Sequence, residues 1–444
     1  MSLDPALETI LPRTAGVTAQ GHLTLGGCDA VDLAREFGTP LYAFDEVELR
    51  EGAREWLTAF RSSYPETTVV YAAKAYLGRA VAALFAEEGL SLDVASGGEL
   101  AIARAASFPM ERVYVHGNNK SPQELREALA AGVGHVVVDN FREAVLLNEI
   151  ATGMGKRQPV LLRVSPNVDP HTHQHITTGT LDSKFGVPIA TGQAEEAVQN
   201  LALSPGLELV GLHAHIGSQI FEVEPFQQTC KILIEFAARL KHRHRFPLLS
   251  LGGGFAAQYL RDAPAPSRAE YAEAIVLTLK ESCEAYELPP PRLVVEPGRS
   301  LVARAGVALY SVGARKEIPG VRTYVAVDGG MADNVRPALY GAAYEAVVAN
   351  RLNEEGPRER VTIAGKYCES GDILVRDADL PKLWAEDVLA IPVAGAYSLP
   401  LASNYNASLR PAVVFVKDGR ARLVRRRETY DDLLRCEIDN GSAD

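Results

Sequence analysis

The residue best placed to do chemistry is Lys74, which closes the run Val70-Tyr71-Ala72-Ala73-Lys74. The run is apolar, opens on Thr68-Val69-Val70 and reads as a buried strand ending on a lysine. Lysine is among the side chains least often fully buried. Two readings follow. In one, the stem lies along the strand end and the ammonium reaches water. In the other, the amine sits in a semi-apolar pocket, where lost hydration lowers its pKa and lets it condense with an aldehyde.

Two other segments suit a phosphate. Gly252-Gly253-Gly254 follows a strand-like run and lets backbone N–H groups approach an anion, although a plain tight turn also explains a triple glycine. Glu296-Pro297-Gly298-Arg299 follows the next strand-like run and adds a guanidinium that can grip phosphate or carboxylate oxygens as a fork. His213 and His215 are two apart, so on a strand they face one side. With His171, His173 and His175 they raise a zinc reading, but the cysteines are dispersed and no HExxH spacing appears. The better use of His215 is an imidazole lying flat against a planar ring, and no resident metal is expected.

These residues need a scaffold. Strand-like runs occur at 68–74, 90–95, 112–116, 135–139, 160–164, 207–216, 248–251 and 292–295. Helical segments lie between most of them, as at 80–87, 99–106, 122–131, 142–150, 194–203 and 226–242. Such alternation implies parallel βαβ units, and eight over roughly 230 residues match a closed (β/α)8 barrel, with an open doubly wound sheet as the alternative. The placement of polar residues favours the barrel. The runs are apolar along their bodies and end in Lys74, Ser96, His116, Asp139, Ser165, His215, Gly252 and Glu296, on the face where barrel enzymes build their sites.

After about residue 300 the rhythm changes to strands at 307–312, 321–327, 361–363, 388–393 and 412–416 without long helices between them. This predicts a mainly antiparallel β-domain, completed by the N-terminal segment. The expected division is 1–43 joining the β-domain, 44–301 as the barrel and 302–444 as the β-domain.

Composition sets outer bounds. The chain has 444 residues, 47% of them hydrophobic and 23% charged, as in an ordinary globular enzyme. A net charge of −11 argues against nucleic acid or an anionic membrane surface as partner. Met1-Ser2-Leu3-Asp4-Pro5 lacks the basic start of a signal peptide, and no apolar stretch is long enough to span a bilayer. Five scattered cysteines without a CxxC pair fit a reduced, cytoplasmic setting.

Five motifs occur in one order: Tyr71-Ala72-Ala73-Lys74-Ala75, Asp93-Val94-Ala95-Ser96-Gly97-Gly98-Glu99, His213-Ala214-His215-Ile216-Gly217-Ser218-Gln219, Glu296-Pro297-Gly298-Arg299 and Cys368-Glu369-Ser370-Gly371-Asp372. In that order the chain resembles the fold-type III pyridoxal-phosphate-dependent decarboxylases over nearly its whole length. The segment 163–186, with Asp169, Thr172-His173, Thr178-Gly179 and Lys184-Phe185-Gly186, resembles the active-site loop of the diaminopimelate branch more than that of the ornithine or arginine branches. So do Arg336 to Tyr340, Gly395-Ala396-Tyr397 and Ser403-Asn404-Tyr405-Asn406. The chain departs from the family wording at Lys366, where proline is usual, and at Ser398-Leu399-Pro400 and Ala407-Ser408-Leu409.

The resemblance implies pyridoxal 5'-phosphate as cofactor and decarboxylation of meso-2,6-diaminopimelate to L-lysine and CO2. It implies that Lys74 carries the cofactor, Glu296 partners its pyridine nitrogen and His215 packs on its ring. Ser218, Gly254, Gly298 and Tyr397 would bind the phosphate, with Asp93, Gly253, Pro297 and Arg299 completing the cofactor set. Arg163, Arg299, Arg336, Tyr340, Glu369 and Tyr397 would hold the amino-acid substrate. Cys368 would return a proton after CO2 leaves and would come from the neighbouring subunit, so a homodimer with shared sites is expected. Cys28, Cys230, Cys283 and Cys436 read instead as small core residues.

Three rivals remain. A decarboxylase of ornithine, arginine, lysine or carboxynorspermidine fits the fold, but a simple diamine precursor has no far carboxylate for Arg336. A racemase benefits from a poorly protonated pyridine nitrogen, commonly faced by arginine, where this chain has Glu296. A non-catalytic pyridoxal-phosphate-binding barrel needs neither Cys368 nor a second domain.

Overall fold

The computed structural model describes residues 3–169 and 182–438. His171, Thr172, His173, His175, Thr178 and Gly179 lie outside the described residues. The chain divides into two compact units: Arg50–Ala257 with Ala265–Leu301, and Met1–Leu49 with Gln258–Pro264 and Val302–Asp444.

The first unit is a closed barrel of eight parallel strands. They are β1 (Thr67–Ala72), β2 (Ser91–Val94), β3 (Val113–Val115), β4 (His135–Val138), β5 (Gln158–Ser165), β6 (Leu207–His213), β7 (Leu248–Ser250) and β8 (Arg292–Val295). Each pairs with the next, and the ring closes where Leu293 of β8 meets Thr67 of β1. Val70, Tyr114, Val137, Leu161 and Val294 fill the interior from five strands. Burying one such side chain contributes about 1.5–3 kcal/mol, which the β-branched composition supplies without much rotamer loss.

The outer helices start on side-chain caps. Ser96, Ser121, Asn140 and Ser267 each accept an N–H from the first helical turn, and Ser121 and Ser267 form full capping boxes with Glu124 and Glu270. The helix Arg268–Ala285 goes unforeseen in the sequence reading. Its buried face is broad and interrupted by Thr278 and Ser282, so no narrow apolar stripe marks it.

The second unit is built on a mainly antiparallel sheet. Its order is Ile373–Pro381, Arg358–Ala364, Arg322–Val327, Gly306–Ile318, Leu41–Asp45, Ala412–Lys417 and Arg420–Arg425. Two neighbouring pairs are parallel: Arg322–Val327 with Arg358–Ala364, and Leu41–Asp45 with Ala412–Lys417. The N-terminal strand Leu41–Asp45 is buried throughout and sits between Gly306–Ile318 and Ala412–Lys417, so the N-terminal segment does complete this sheet. Ile373–Pro381 and Arg420–Arg425 escape the sequence reading because charged residues break their apolar pattern: Arg376, Asp377 and Asp379 in the first, and Arg420, Arg422 and Arg425 in the second. Among the described residues no helix is long and apolar enough to cross a membrane. Cys230 and Cys283 are core residues as expected, whereas Cys28 is half-buried and Cys436 is exposed because it follows the short terminal helix Tyr430–Leu434.

Candidate active site

The first correction concerns Lys74. Strand β1 ends at Ala72, and Lys74 rides on a single 3-10 turn, Ala73–Ala75, rather than on the strand itself. The cause is Tyr71, whose hydroxyl receives the Tyr76 N–H at 3.1 Å and donates back to the Tyr76 carbonyl, drawing the chain into a turn. Lys74 is exposed. Its flanking alanines are buried, and a Cβ on Gly298 would meet those of Ala72 and Ala75 at 3.0 and 3.2 Å. The turn therefore packs directly on the loop after β8, tied further by Ala72 N–H donating to the Pro297 carbonyl at 3.2 Å.

One residue before Pro297 stands Glu296, 4% exposed, with a hydrogen bond on each oxygen. Ser250 Oγ donates to Oε1 at 2.8 Å, and His213 Nε2 lies 3.2 Å from Oε2. His116 Nε2 lies 3.7 Å from Oε1 and 4.0 Å from Asp93 Oδ2. Burial by itself raises the Glu296 pKa, but the two imidazoles and the two hydrogen bonds outweigh it and hold the carboxyl well below its usual range. Asp93 goes the other way: burial, opposed by the Lys74 ammonium and reinforced by Glu296, pushes it up to about 8. His116 is held neutral by burial, as is His215, to which the Lys74 and Arg163 charges contribute. The end of the barrel thus holds Glu296 as a carboxylate with a hydrogen bond on each oxygen.

The glycine loop admits no other residue. A Cβ on Gly253 would lie 2.2 Å from the Glu296 carbonyl oxygen. Gly254 has φ +109°, where side chains are strained, and its Cβ would meet the Gly217 oxygen at 2.6 Å. Gly253 N–H donates to His215 Nδ1 at 3.0 Å, which leaves the imidazole proton on Nε2 and fixes the ring beside the loop. Arg299 Nη2 donates to Ser218 Oγ at 2.9 Å, so the loops after β6 and β8 are joined by two of the residues expected at the site. Arg163, at the end of β5, is buried over the Phe185 ring at 4.4 Å, with Nε 3.7 Å from Asp139.

The remaining expected residues lie in the second unit. Cys368 and Glu369 are exposed, on a loop held from beneath by buried Asp372, which accepts the Tyr367 N–H at 2.8 Å and the Met331 N–H at 2.6 Å. The Cys368 N–H donates to Asn406 Oδ1 at 3.0 Å, and Tyr405 donates to the Cys368 carbonyl at 3.3 Å, so the motif containing Asn404-Tyr405-Asn406 shapes the cysteine loop. Lys366, the departure from proline, uses its N–H: it donates to the Gly329 carbonyl at 3.1 Å, which proline could not do. Arg336 is buried beside the Tyr259 and Tyr344 rings and hydrogen bonds the Tyr344 hydroxyl. Tyr340, in the same short helix, is half-buried. Tyr397 has φ +61°, a left-handed conformation costly for an aromatic residue and of the kind that gathers at functional sites.

A family model for the pyridoxal-binding domain of pyridoxal-dependent decarboxylases matches residues 48–303. The diaminopimelate decarboxylase of Bacillus subtilis is 48% identical over 430 residues, spanning 96% of this chain and 98% of that one. The chain belongs to the diaminopimelate decarboxylase family. Another member of the family, from Actinosynnema pretiosum, is 48% identical over 99% of this chain and 98% of its own. The crystal structure of the M. jannaschii enzyme superposes with a TM-score of 0.91 at 36% identity, covering 97% of this chain and 98% of that one.

The family's cofactor, pyridoxal 5'-phosphate, fits the residues present. It needs an amine, a close-approach backbone for phosphate and an anion for its ring nitrogen. Lys74, the glycine loop that a Cβ would block, and the ionised Glu296 are those three groups. Four contributors went unassigned in the sequence reading: His116, Ser250, Tyr259 and Tyr344. His116 is polar at a strand end, a signal that was available, whereas Tyr259 follows the glycine loop without any motif.

Proposed function

We propose that this chain decarboxylates meso-2,6-diaminopimelate to L-lysine and CO2, the last step of lysine biosynthesis. The observation that carries the reading is Glu296, an ionised carboxylate buried at the end of β8 and hydrogen bonded on both oxygens. Bound pyridoxal 5'-phosphate supplies the electron sink for the pair left behind by CO2. Glu296 holds the proton on the ring nitrogen, which strengthens that sink and distinguishes a decarboxylase from a racemase.

Lys74 provides the amine that anchors the cofactor. His215, fixed through Nδ1, packs on the ring face, and Asp93 and Pro297 belong to the cofactor-binding set. Gly254, Gly298 and Ser218 receive the phosphate through N–H and hydroxyl donors, with Tyr397 as a further donor, while Gly253 spends its N–H on His215 and completes the cofactor set with Arg299. Arg163, Arg299, Arg336, Tyr340, Glu369 and Tyr397 bind the substrate. The guanidinium groups suit its carboxylates and Glu369 its far ammonium, a pairing that a simple diamine precursor would leave half unused. Cys368 gives a proton to the carbon that CO2 leaves.

The family resemblance supports a homodimer in which Cys368 and Glu369 complete the site of the other subunit. It also supports residues 44–301 as the cofactor domain and 302–444 with 1–43 as the second domain. The scattered cysteines support a cytoplasmic setting. The test of the cofactor assignment is borohydride reduction followed by peptide mass mapping. The label should fall on Lys74, and the visible absorbance of bound cofactor should vanish in Lys74→Ala. A label on any other lysine contradicts the reading.

A further inference from the structure

Glu296 is gripped by a residue to which the proposed mechanism gives no part. His213 ends β6 with 1% of its surface exposed, and its Nε2 lies 3.2 Å from Glu296 Oε2. Its register explains the grip: His213 pairs with Arg163 of β5 on one side and with Ser250 of β7 on the other. Ser250 takes the second oxygen, Oε1, at 2.8 Å. Two neighbouring strand ends therefore hold the two carboxylate oxygens separately and fix the plane of the group.

A core histidine kept for packing alone would have both nitrogens satisfied. His213 does not: its Nδ1 is buried and has no hydrogen-bond partner among the described residues. A buried polar atom left that way is unfavourable. Leucine would fill the same volume without it. The His116 ring packs edge-on, with centroids 5.0 Å apart and planes at 68°, and offers no acceptor to Nδ1. Only the Nε2 contact gives a reason for the imidazole: at 3.2 Å from Oε2, Nε2–H can donate to the carboxylate.

We infer that His213 is a positioning residue, holding the Glu296 carboxylate oriented toward the place where the cofactor's ring nitrogen docks. The inference rests on the reading of Glu296 as partner of that nitrogen. It adds that Glu296 without His213 is misaligned, although the carboxylate is still present.

The experiment compares two probes on cofactor-free enzyme: pyridoxal 5'-phosphate and its 1-deaza analogue, in which carbon replaces the ring nitrogen. His213→Leu should weaken binding of the natural cofactor about 10-fold and of the analogue less than about 2-fold, the size expected for one charge-assisted contact. In the loaded enzyme kcat should fall about 10-fold or more, with the KM for substrate little changed. His213→Gln, whose amide can still donate, should recover most of both losses. If His213→Leu fails to fold, His213→Asn, whose amide ends short of Glu296, carries the same comparison. Equal weakening of both probes would make His213 a packing residue and overturn the inference. Glu296→Gln separates the two claims. If it favours the analogue as expected while the His213 variants discriminate nothing, only the positioning role is wrong. If it too treats both probes alike, the Glu296 reading falls and the inference falls with it.

Discussion

The guanidinium carbon of Arg336 lies 4.6 Å from the ring centroid of Tyr259. Tyr344 completes the clamp with its ring at 5.4 Å and its hydroxyl bonded to Nη1. Burial works against the charge, and the two tyrosines offset it, so the cation is kept in a nearly closed position. A lysine there could neither stack nor fork. Removing the Tyr259 ring, as Tyr259→Leu, should cost about 1–2 kcal/mol of substrate binding, or roughly 5- to 30-fold in KM, with kcat little changed. Steady-state kinetics read the split, and an equal loss in kcat would show that the clamp serves the chemical step.

Gly254→Ala is the sharpest probe of the phosphate cradle. The added Cβ meets the Gly217 carbonyl oxygen at 2.6 Å from a backbone with φ +109°, and neither is a flexible side chain that can step aside. Cofactor affinity should fall about 10-fold or more, measured by equilibrium binding to the cofactor-free protein. Unchanged affinity would mean that the phosphate sits elsewhere.

Much of this site is legible in the sequence because strand ends in a barrel are chemically conspicuous. Lys74, His116, Asp139 and Glu296 all break apolar runs at their C-terminal ends. The exact seat of Lys74 is not legible, since the 3-10 turn depends on a tyrosine hydroxyl bonding back to the chain five residues on. The Tyr259–Arg336 contact joins residues 77 positions apart in sequence (336 − 259) and obeys no local period. In the β-domain, the run Pro40-Leu41-Tyr42-Ala43-Phe44 reads as a strand, which the structure places at Leu41–Asp45, but its place between strands that lie more than 260 positions later is a tertiary fact. Arg420–Arg425 has no apolar face to betray it.

Acid stability should depend on Asp387. Burial alone would raise its pKa, but bonds from Arg351, Asn350 and the Trp384 N–H bring it below its ordinary 3.8. A carboxyl depressed on folding stabilises the native state fully above its unfolded value, and that contribution disappears as pH falls through the folded one. Asp387→Asn should therefore lower the melting temperature at pH 7 by several degrees and narrow its gap to wild type below about pH 4. A gap that widens in acid would reverse the assignment.

The proposed sharing of the site between two subunits predicts complementation. Lys74→Ala and Cys368→Ala homodimers should each be nearly inactive. A random mixture is about half heterodimer, and each heterodimer has one site with both residues intact, so about a quarter of wild-type activity should return after subunit exchange. Demonstrated exchange without recovery would place Cys368 in its own subunit's site.

The substrate is tested most directly by incubating loaded enzyme in parallel with meso-2,6-diaminopimelate, L-ornithine and L-lysine, with CO2 and the amine or amino-acid product measured together. Meso-diaminopimelate should give equal amounts of L-lysine and CO2, and kcat/KM should be lower by about 10³-fold or more for the two substrates without a far carboxylate, because they leave the clamped Arg336 unpaired. Comparable turnover of ornithine or lysine, or no CO2 from meso-diaminopimelate, would contradict the proposed substrate.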